Sequence, residues 1–204
     1  MQNNHIQTAS RSDRKKVIEL LTSAFLTDRS IRWVVGDRKC SKSHVRKLID
    51  YAFRLSYIQN GILRTFDNKA AAIIMYPHSQ KYRLRDMFLD LKLGVRVIGI
   101  RRISEVLKRE EAIKKHHPKE NFLYLWYLGV ESQLQRSGLG SNMLDEIHRI
   151  ADKQQLPIYL ETSTPENIPF YERNGYEVYH EMKDFPGMDF PIWFIRRNSR
   201  IVEN

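Results

Sequence analysis

Cysteine is nearly missing from this 204-residue chain. The single copy, Cys40, excludes an internal disulfide framework and fits a reducing compartment. No Cys/His cluster has the spacing of a metal site, so no metal is expected. Glycine (9) and proline (7) are sparse, which excludes a collagen-like or Pro/Gly-rich disordered chain. Long apolar runs are also missing, so no span crosses a bilayer and no membrane partner is expected. The start, Met1 to His5, lacks the basic and apolar regions of a signal peptide. The expectation is a cytoplasmic protein. No repeat or low-complexity tract interrupts it.

Acidic residues are the minority charge: 34 Lys/Arg stand against 24 Asp/Glu, a formal net charge of +10. Between Lys81 and Lys119 there are 12 Lys/Arg and 5 Asp/Glu, so most of the excess sits in one segment. That segment reads first as a solvated helical face, and second as a field that steers an anionic ligand. No nucleic-acid motif stands beside it, so no nucleic-acid partner is expected. His116-His117, followed by Pro118, reads as a solvated loop.

With 42% hydrophobic residues the chain can build a proper core, and its length fits one domain over residues 1–204. Residues 5–9 are predicted as a first strand. Ser10-x-x-Asp13 is a capping-box pattern ahead of a stripe of Val17, Leu20, Leu21, Ala24 and Phe25. Residues 30–35 suit a short helical piece. Residues 43–59 suit a clearer helix, with Val45, Leu48, Ile49, Ala52, Phe53 and Ser56 on one face and Gly61 as its stop. Residues 62–66 and 70–76 read as a hairpin around Asp67-Asn68-Lys69.

Leu84, Phe88, Leu91, Val95 and Ile98 form one helical stripe; Ile103, Val106, Leu107 and Ile113 form another. Together they predict a helical insertion over about residues 80–119. Phe122 to Val130 is a continuous apolar run, as expected for a strand covered on both faces. Leu139, Met143, Ile147 and Ile150 stripe the next helix. Residues 157–162 follow as a strand, then a short helix stopped by Gly175. Residues 176–181 and 190–196 close the chain as an antiparallel pair. This order alone says α/β.

The most informative stretch is Gln135-Arg136-Ser137-Gly138-Leu139-Gly140, leading into Ser141. It lies between the apolar strand and the following helix. Strand, tight glycine loop and helix build a cradle of backbone N–H groups for phosphate, with the helix dipole behind it. The P-loop pattern GxxxxGK[ST] is absent, and the third glycine of GxGxxG is missing. A second segment runs from Leu160-Glu161-Thr162-Ser163 through Asn167 to Phe170-Tyr171-Glu172-Arg173-Asn174-Gly175. Asn167 and Tyr171 are four apart, so they share one helix face.

The first stretch resembles motif A of the GNAT acetyltransferases, and the second resembles their motif B. The run from Tyr159 to Val178 is similar to the puromycin N-acetyltransferase-like branch. Ala24 to Asp28 with Arg32-Trp33 resembles that branch's first-helix region. Two residues depart from the pattern: Ser132 stands where a Pro is usual, and Leu134 where an aromatic is common. Neither change removes a backbone N–H.

The resemblance implies a GNAT-type fold: a mixed central β-sheet flanked by helices, with a helical insertion before the central strand. It implies acetyl-CoA as cosubstrate, held by Leu128, Gly129, Val130, Gln135, Arg136, Ser137, Gly138, Leu139, Gly140, Ser141, Asn167 and Tyr171. The two central strands would splay, and the cosubstrate would lie in the gap. Direct transfer to an amine is implied, with Tyr171 as general acid. A phenol of ordinary pKa, about 10, is protonated and able to donate. The candidate bases are Glu161 and, through water, Tyr124 or the neighbours of Trp126 on the central strand; for Glu161 a structural carboxylate bonding backbone N–H groups is the alternative. Many relatives carry Glu where Tyr124 stands. Phe25, Trp33 and Tyr124, with Tyr51 and Trp193, are available to line an acceptor pocket. The partner implied is a small-molecule amine, and a homodimer is compatible. A protein acetyltransferase and a non-catalytic acyl-CoA-binding module are the competing readings.

Overall fold

The structure, a computed structural model, describes residues 5–36, 40–65, 67–79 and 97–200. The chain opens with β1 (Ile6–Thr8), α1 (Arg14–Ala24), α2 (Arg29–Val35) and α3 (Lys42–Tyr57). Next come β2 (Ile62–Thr65), β3 (Ala70–Met75), α4 (Ile100–Lys114) and β4 (Leu123–Val130). The last elements are α5 (Leu139–Lys153), β5 (Ile158–Thr162), α6 (Ile168–Arg173), β6 (Glu177–Met182) and β7 (Ile192–Arg197). The strands form one seven-stranded sheet in the order β1-β2-β3-β4-β5-β7-β6. Every neighbouring pair is antiparallel except β4 and β5, which are parallel. The mixed α/β architecture is therefore the one expected.

Local chemistry places the first helices. The Ser10 N–H donates to the Asp13 carboxylate at 2.8 Å, so the capping box forms and starts the turn that leads into α1. Asp28 caps α2 by accepting from the Ile31 N–H at 2.9 Å. The predicted stripe of α3 is buried in full, from Val45 to Ser56. Gly61 ends that segment by donating its N–H to the Ser56 carbonyl at 2.9 Å. A Cβ there would overlap the Ile74 carbonyl oxygen, which only glycine avoids.

Helices cover both faces of the sheet. On one face α1, α2 and α3 bury Leu21, Ile49 and Phe53 against Ile62, Ala71 and Ile73. On the other, α5 and α6 bury Met143, Leu144, Ile147 and Tyr171 against Ala72, Ile74, Leu125 and Leu160. Neighbouring β3 residues thus serve opposite layers, as the pleat requires. A third cluster, Ile113 with Phe190, Ile192 and Phe194, fastens α4 to the β7 end.

Two expectations change. The strand at 123–130 is not covered evenly. Its residues alternate buried and half-buried, so Tyr124, Trp126, Leu128 and Val130 are only partly covered. In α4, Val106 and Ile113 are buried as expected, but Leu107 is exposed and Arg109 is buried. The Arg109 guanidinium lies over the Trp33 ring and donates to Glu110 and Ser30, so α2 offers it partners that Leu107 would not need. Of the other predicted insertion stripe, Leu84, Phe88, Leu91 and Val95 lie outside the described residues and Ile98 is half-buried; Phe66 of the hairpin also lies outside them.

Two predictions follow from this packing. Gly61→Ala is expected to destabilise by about 1–3 kcal/mol through backbone overpacking. Urea unfolding should then show a lower midpoint at unchanged slope. His148, bonded to the Tyr176 hydroxyl at 3.1 Å, is pushed down to about 4 by burial first and by Arg197 second, from an ordinary 6.5. The unfolded chain therefore takes up this proton first. Stability should hold above about pH 6.5 and fall as pH drops toward about 4. In His148→Asn that fall should flatten, as read by melting temperature against pH.

Candidate active site

The site begins with a register fault. Ile73 pairs with Tyr127, but Ile74 pairs with Leu125, so Trp126 is an extra residue on β4. Such a bulge bends its strand and sharpens the twist. It also reassigns faces: Leu123 and Leu125 join the α5-side core, whereas Tyr127 joins the α1-side core. On its other edge β4 pairs with β5 at only two positions, Leu123↔Ile158 and Tyr124↔Tyr159. Beyond Tyr124 the two strands part. The β4 main chain from Leu125 to Val130, including Leu128, Gly129 and Val130, keeps its ladder to β3 but has none to β5. An edge of that kind can hydrogen-bond an extended ligand as an added strand.

Gly129 is a point of close approach. A Cβ there would lie 2.8 Å from Leu21 Cδ2, so α1 presses on the strand where the split widens.

The loop after β4 lies at the mouth of this split. Gln135, Arg136, Ser137 and Gly138 are exposed. Arg136 and Gly138 adopt positive φ of 65° and 88°. For the arginine this costs roughly 1–2 kcal/mol, a strain the sequence does not advertise. The first N–H bonded inside α5 is that of Asn142, to Gly138 O at 2.9 Å. The N–H groups of Leu139, Gly140 and Ser141 are thus the free donors of a 15-residue helix start, suited to a bound anion. Gly140 packs this start tightly: a Cβ would be 3.1 Å from the Phe170 ring and 3.7 Å from Val130 Cγ2. The residues present therefore fit a pyrophosphate held across α5, β4 and α6.

Motif residues converge from the α6 side. Asn167 donates its side-chain N–H to Thr162 Oγ1 at 3.2 Å, tying the start of α6 to the end of β5. Tyr171 is buried between Phe170 and Tyr176, with ring centroids 5.2 and 5.5 Å away. Burial pushes its hydroxyl above the usual phenol range, so it stays protonated.

The opposite side of the sheet carries the polar residues. Glu161 follows the parting point on β5, alternating with the buried Leu160. One carboxylate oxygen lies 2.6 Å from His117 Nε2, and the other accepts from the Tyr124 hydroxyl at 2.6 Å. These are side-chain partners, not the backbone N–H groups of the structural alternative. Burial, then the Glu161 charge, raises the Tyr124 hydroxyl well above its ordinary value.

His117 corrects the sequence reading. It is no solvated loop residue: its side chain is 15% exposed, and its ring meets Phe122 and Tyr124. His116 stacks on His180 at 3.9 Å, and its carbonyl accepts from Tyr179. The end of α4 thus folds back onto the sheet. A His-His-Pro stretch in a basic segment carries no local signal for this. Only the position of Glu161 across the sheet does.

Of the proposed lining residues, Tyr124 stands at the split. Phe25 reaches it through a chain of rings, packing 5.0 Å from Tyr127, next to Trp126. Tyr51 meets Trp126 at 6.1 Å. Trp33 is set apart, with the Arg102 and Arg109 guanidinium groups 5.1 and 5.5 Å from its ring and its indole N–H donating to Gly187 O. Trp193 packs on the α5 and α6 side, because β7 turns Phe194 and Ile192 toward α4 instead. At the start of α2, half-buried Asp28 has its carboxyl raised by desolvation, opposed by the Ile31 N–H and Arg109. Among the described residues no cluster could hold a metal ion, and no helix is long and apolar enough to cross a membrane.

Comparison with known proteins agrees with this geometry. Residues 95–178 match the model of an acetyltransferase (GNAT) domain. An uncharacterized N-acetyltransferase of Schizosaccharomyces pombe is 43% identical over 58 residues. That match spans 28% of this chain and only 23% of the yeast protein. Among solved structures, a histone acetyltransferase HPA2 and related acetyltransferase from Corynebacterium glutamicum aligns with TM-score 0.68 at 19% identity, over 97% of each chain. Arylalkylamine N-acetyltransferase 2 from Aedes aegypti aligns with TM-score 0.68 at 14% identity, over 98% of this chain and 100% of its own. The chain therefore has the GNAT acetyltransferase fold, with the family's domain matched over residues 95–178.

Proposed function

We propose that this chain transfers an acetyl group from acetyl-CoA to a primary amine of a small molecule. The observation that carries the reading is the split between β4 and β5, paired at two positions and then open. The glycine loop stands at its mouth, and polar groups of opposite function flank it. Acetyl-CoA supplies the acetyl group as an activated thioester. Everything else falls to the chain.

The N–H groups of Leu139, Gly140 and Ser141 hold the pyrophosphate at the start of α5. The open β4 edge around Leu128, Gly129 and Val130 bonds the pantetheine arm, with Asn167 alongside. One main-chain N–H of that edge polarises the acetyl carbonyl as its oxygen gains charge. Holding both reactants in the split supplies the proximity term. Tyr171 belongs to the α5 and α6 layer, whereas Tyr124 and Glu161 lie on the other face of the sheet. The two proton problems are thereby separated. Tyr171 protonates the departing sulfur, and the Glu161 side receives the proton the amine must lose.

The similarity of residues 159–178 to the puromycin N-acetyltransferase-like branch supports a small-molecule acceptor. So do the rings of Tyr124, Trp126 and Tyr51 beside the split. The test is thiol release from acetyl-CoA across puromycin, aminoglycosides, polyamines, amino acids and Lys peptides, with binding measured by calorimetry. Acceptor-dependent release is expected with a small amine. Tyr171→Phe should lower kcat by about 10²-fold with acetyl-CoA affinity nearly unchanged. Absence of any acetyl-CoA binding would sink the reading.

A further inference from the structure

We propose that His117 is the proton acceptor for the attacking amine, with Glu161 and Tyr124 as its positioning residues. The inference rests on the acetyl-transfer reading above and names a residue that neither motif contains.

The geometry is that of an oriented base. Glu161 lies 2.6 Å from His117 Nε2, and its second oxygen is engaged by Tyr124, also at 2.6 Å. Both carboxylate oxygens are committed, which leaves Glu161 better suited to hold a base than to be one. A carboxylate partner on Nε2 assigns the N–H to that nitrogen. Nδ1 then carries the lone pair. Proton uptake at Nδ1 places an imidazolium beside the Glu161 carboxylate, a charge-assisted hydrogen bond.

Placement agrees. Tyr124 is the last β4 residue paired with β5, and Glu161 lies two positions past its β5 partner Tyr159. The trio therefore stands where the strands part. The titratable groups around His117 are Glu161 from β5, Tyr124 from β4 and His116 from its own loop. Phe122 packs edge-on against the imidazole.

The proton count closes. The ammonium gives one proton to Nδ1 of His117 and becomes a nucleophile. His117 passes that proton to solvent, and as the N–C bond forms and the C–S bond breaks its Nδ1 takes the second proton from nitrogen, while Tyr171 gives its own proton to sulfur and is reprotonated from solvent. His117 returns its proton to solvent. One proton is released per turnover.

Two measurements on the full chain test this. The first is the pH profile of acceptor-dependent thiol release. His117→Gln is expected to lose about 10²-fold in kcat at pH 7 and to regain much of it as pH approaches the amine's own pKa, with acetyl-CoA affinity retained. Retained affinity shows that the variant is folded. Tyr124→Phe should shift the same profile in the same sense, by less. The second is imidazole ¹⁵N NMR, which needs no turnover: His117 should show the Nε2–H tautomer, and Glu161→Gln should abolish that preference. Wild-type turnover with a His117→Gln rate within twofold at pH 7 overturns the base assignment alone. An Nδ1–H tautomer in the wild type does the same. A wild type silent toward every amine overturns the acetyl-transfer reading, and the base with it.

Discussion

One extra residue in β4 governs this site. Trp126 has no partner of its own in β3, and the strand it interrupts is the central one. A bulge there bends β4 just where β5 would otherwise continue alongside. The sheet keeps its continuity through the β3 ladder and through the Leu123 and Tyr124 pairs, so opening the split does not cost the fold its core. What opens is main chain, with donors and acceptors unspent on a neighbouring strand. An unpaired edge inside a sheet is costly unless a ligand or a cover uses it. That cost is the physical reason to read the split as a binding site.

The bulge also sorts chemistry between two faces. Leu123, Leu125, Ile158 and Leu160 give the α5 and α6 layer an apolar wall, and Tyr171 stands within it, protonated because it is buried. Tyr124 and Glu161, their alternating neighbours, are turned the other way, where His117 meets them. The proposed transfer places its acid on one side and its base on the other. A flat, fully paired β4–β5 ladder would keep the two apart.

Close packing supports this arrangement from behind. Gly129 and Gly140 are small for steric reasons: α1 presses on one, and the Phe170 ring lies on the other. Gly138 is different, because space is open around it and its positive φ is what glycine supplies. Three glycines within twelve residues thus answer three separate demands, all near the mouth of the split.

Much of this was legible in the sequence. Period-3.6 stripes located α1, α3 and α5, the Asp67-Asn68-Lys69 turn located the hairpin, and the glycine loop with Asn167 and Tyr171 pointed to the chemistry proposed for the split. These signals are local: each depends on residues a few positions apart, where backbone geometry dictates which side chains share a face. The tertiary structure alone decided the rest. Arg109 is buried and Leu107 exposed because Trp33 and Ser30, the latter 79 positions earlier, supply the guanidinium with partners. The bulge at Trp126 exists only as a mismatch with β3. His117 gains its meaning from Glu161, 44 positions away, across a crossover that no periodicity encodes. Sequence determined the elements and the phosphate-type loop; three-dimensional juxtaposition decided which side chains face one another in the split.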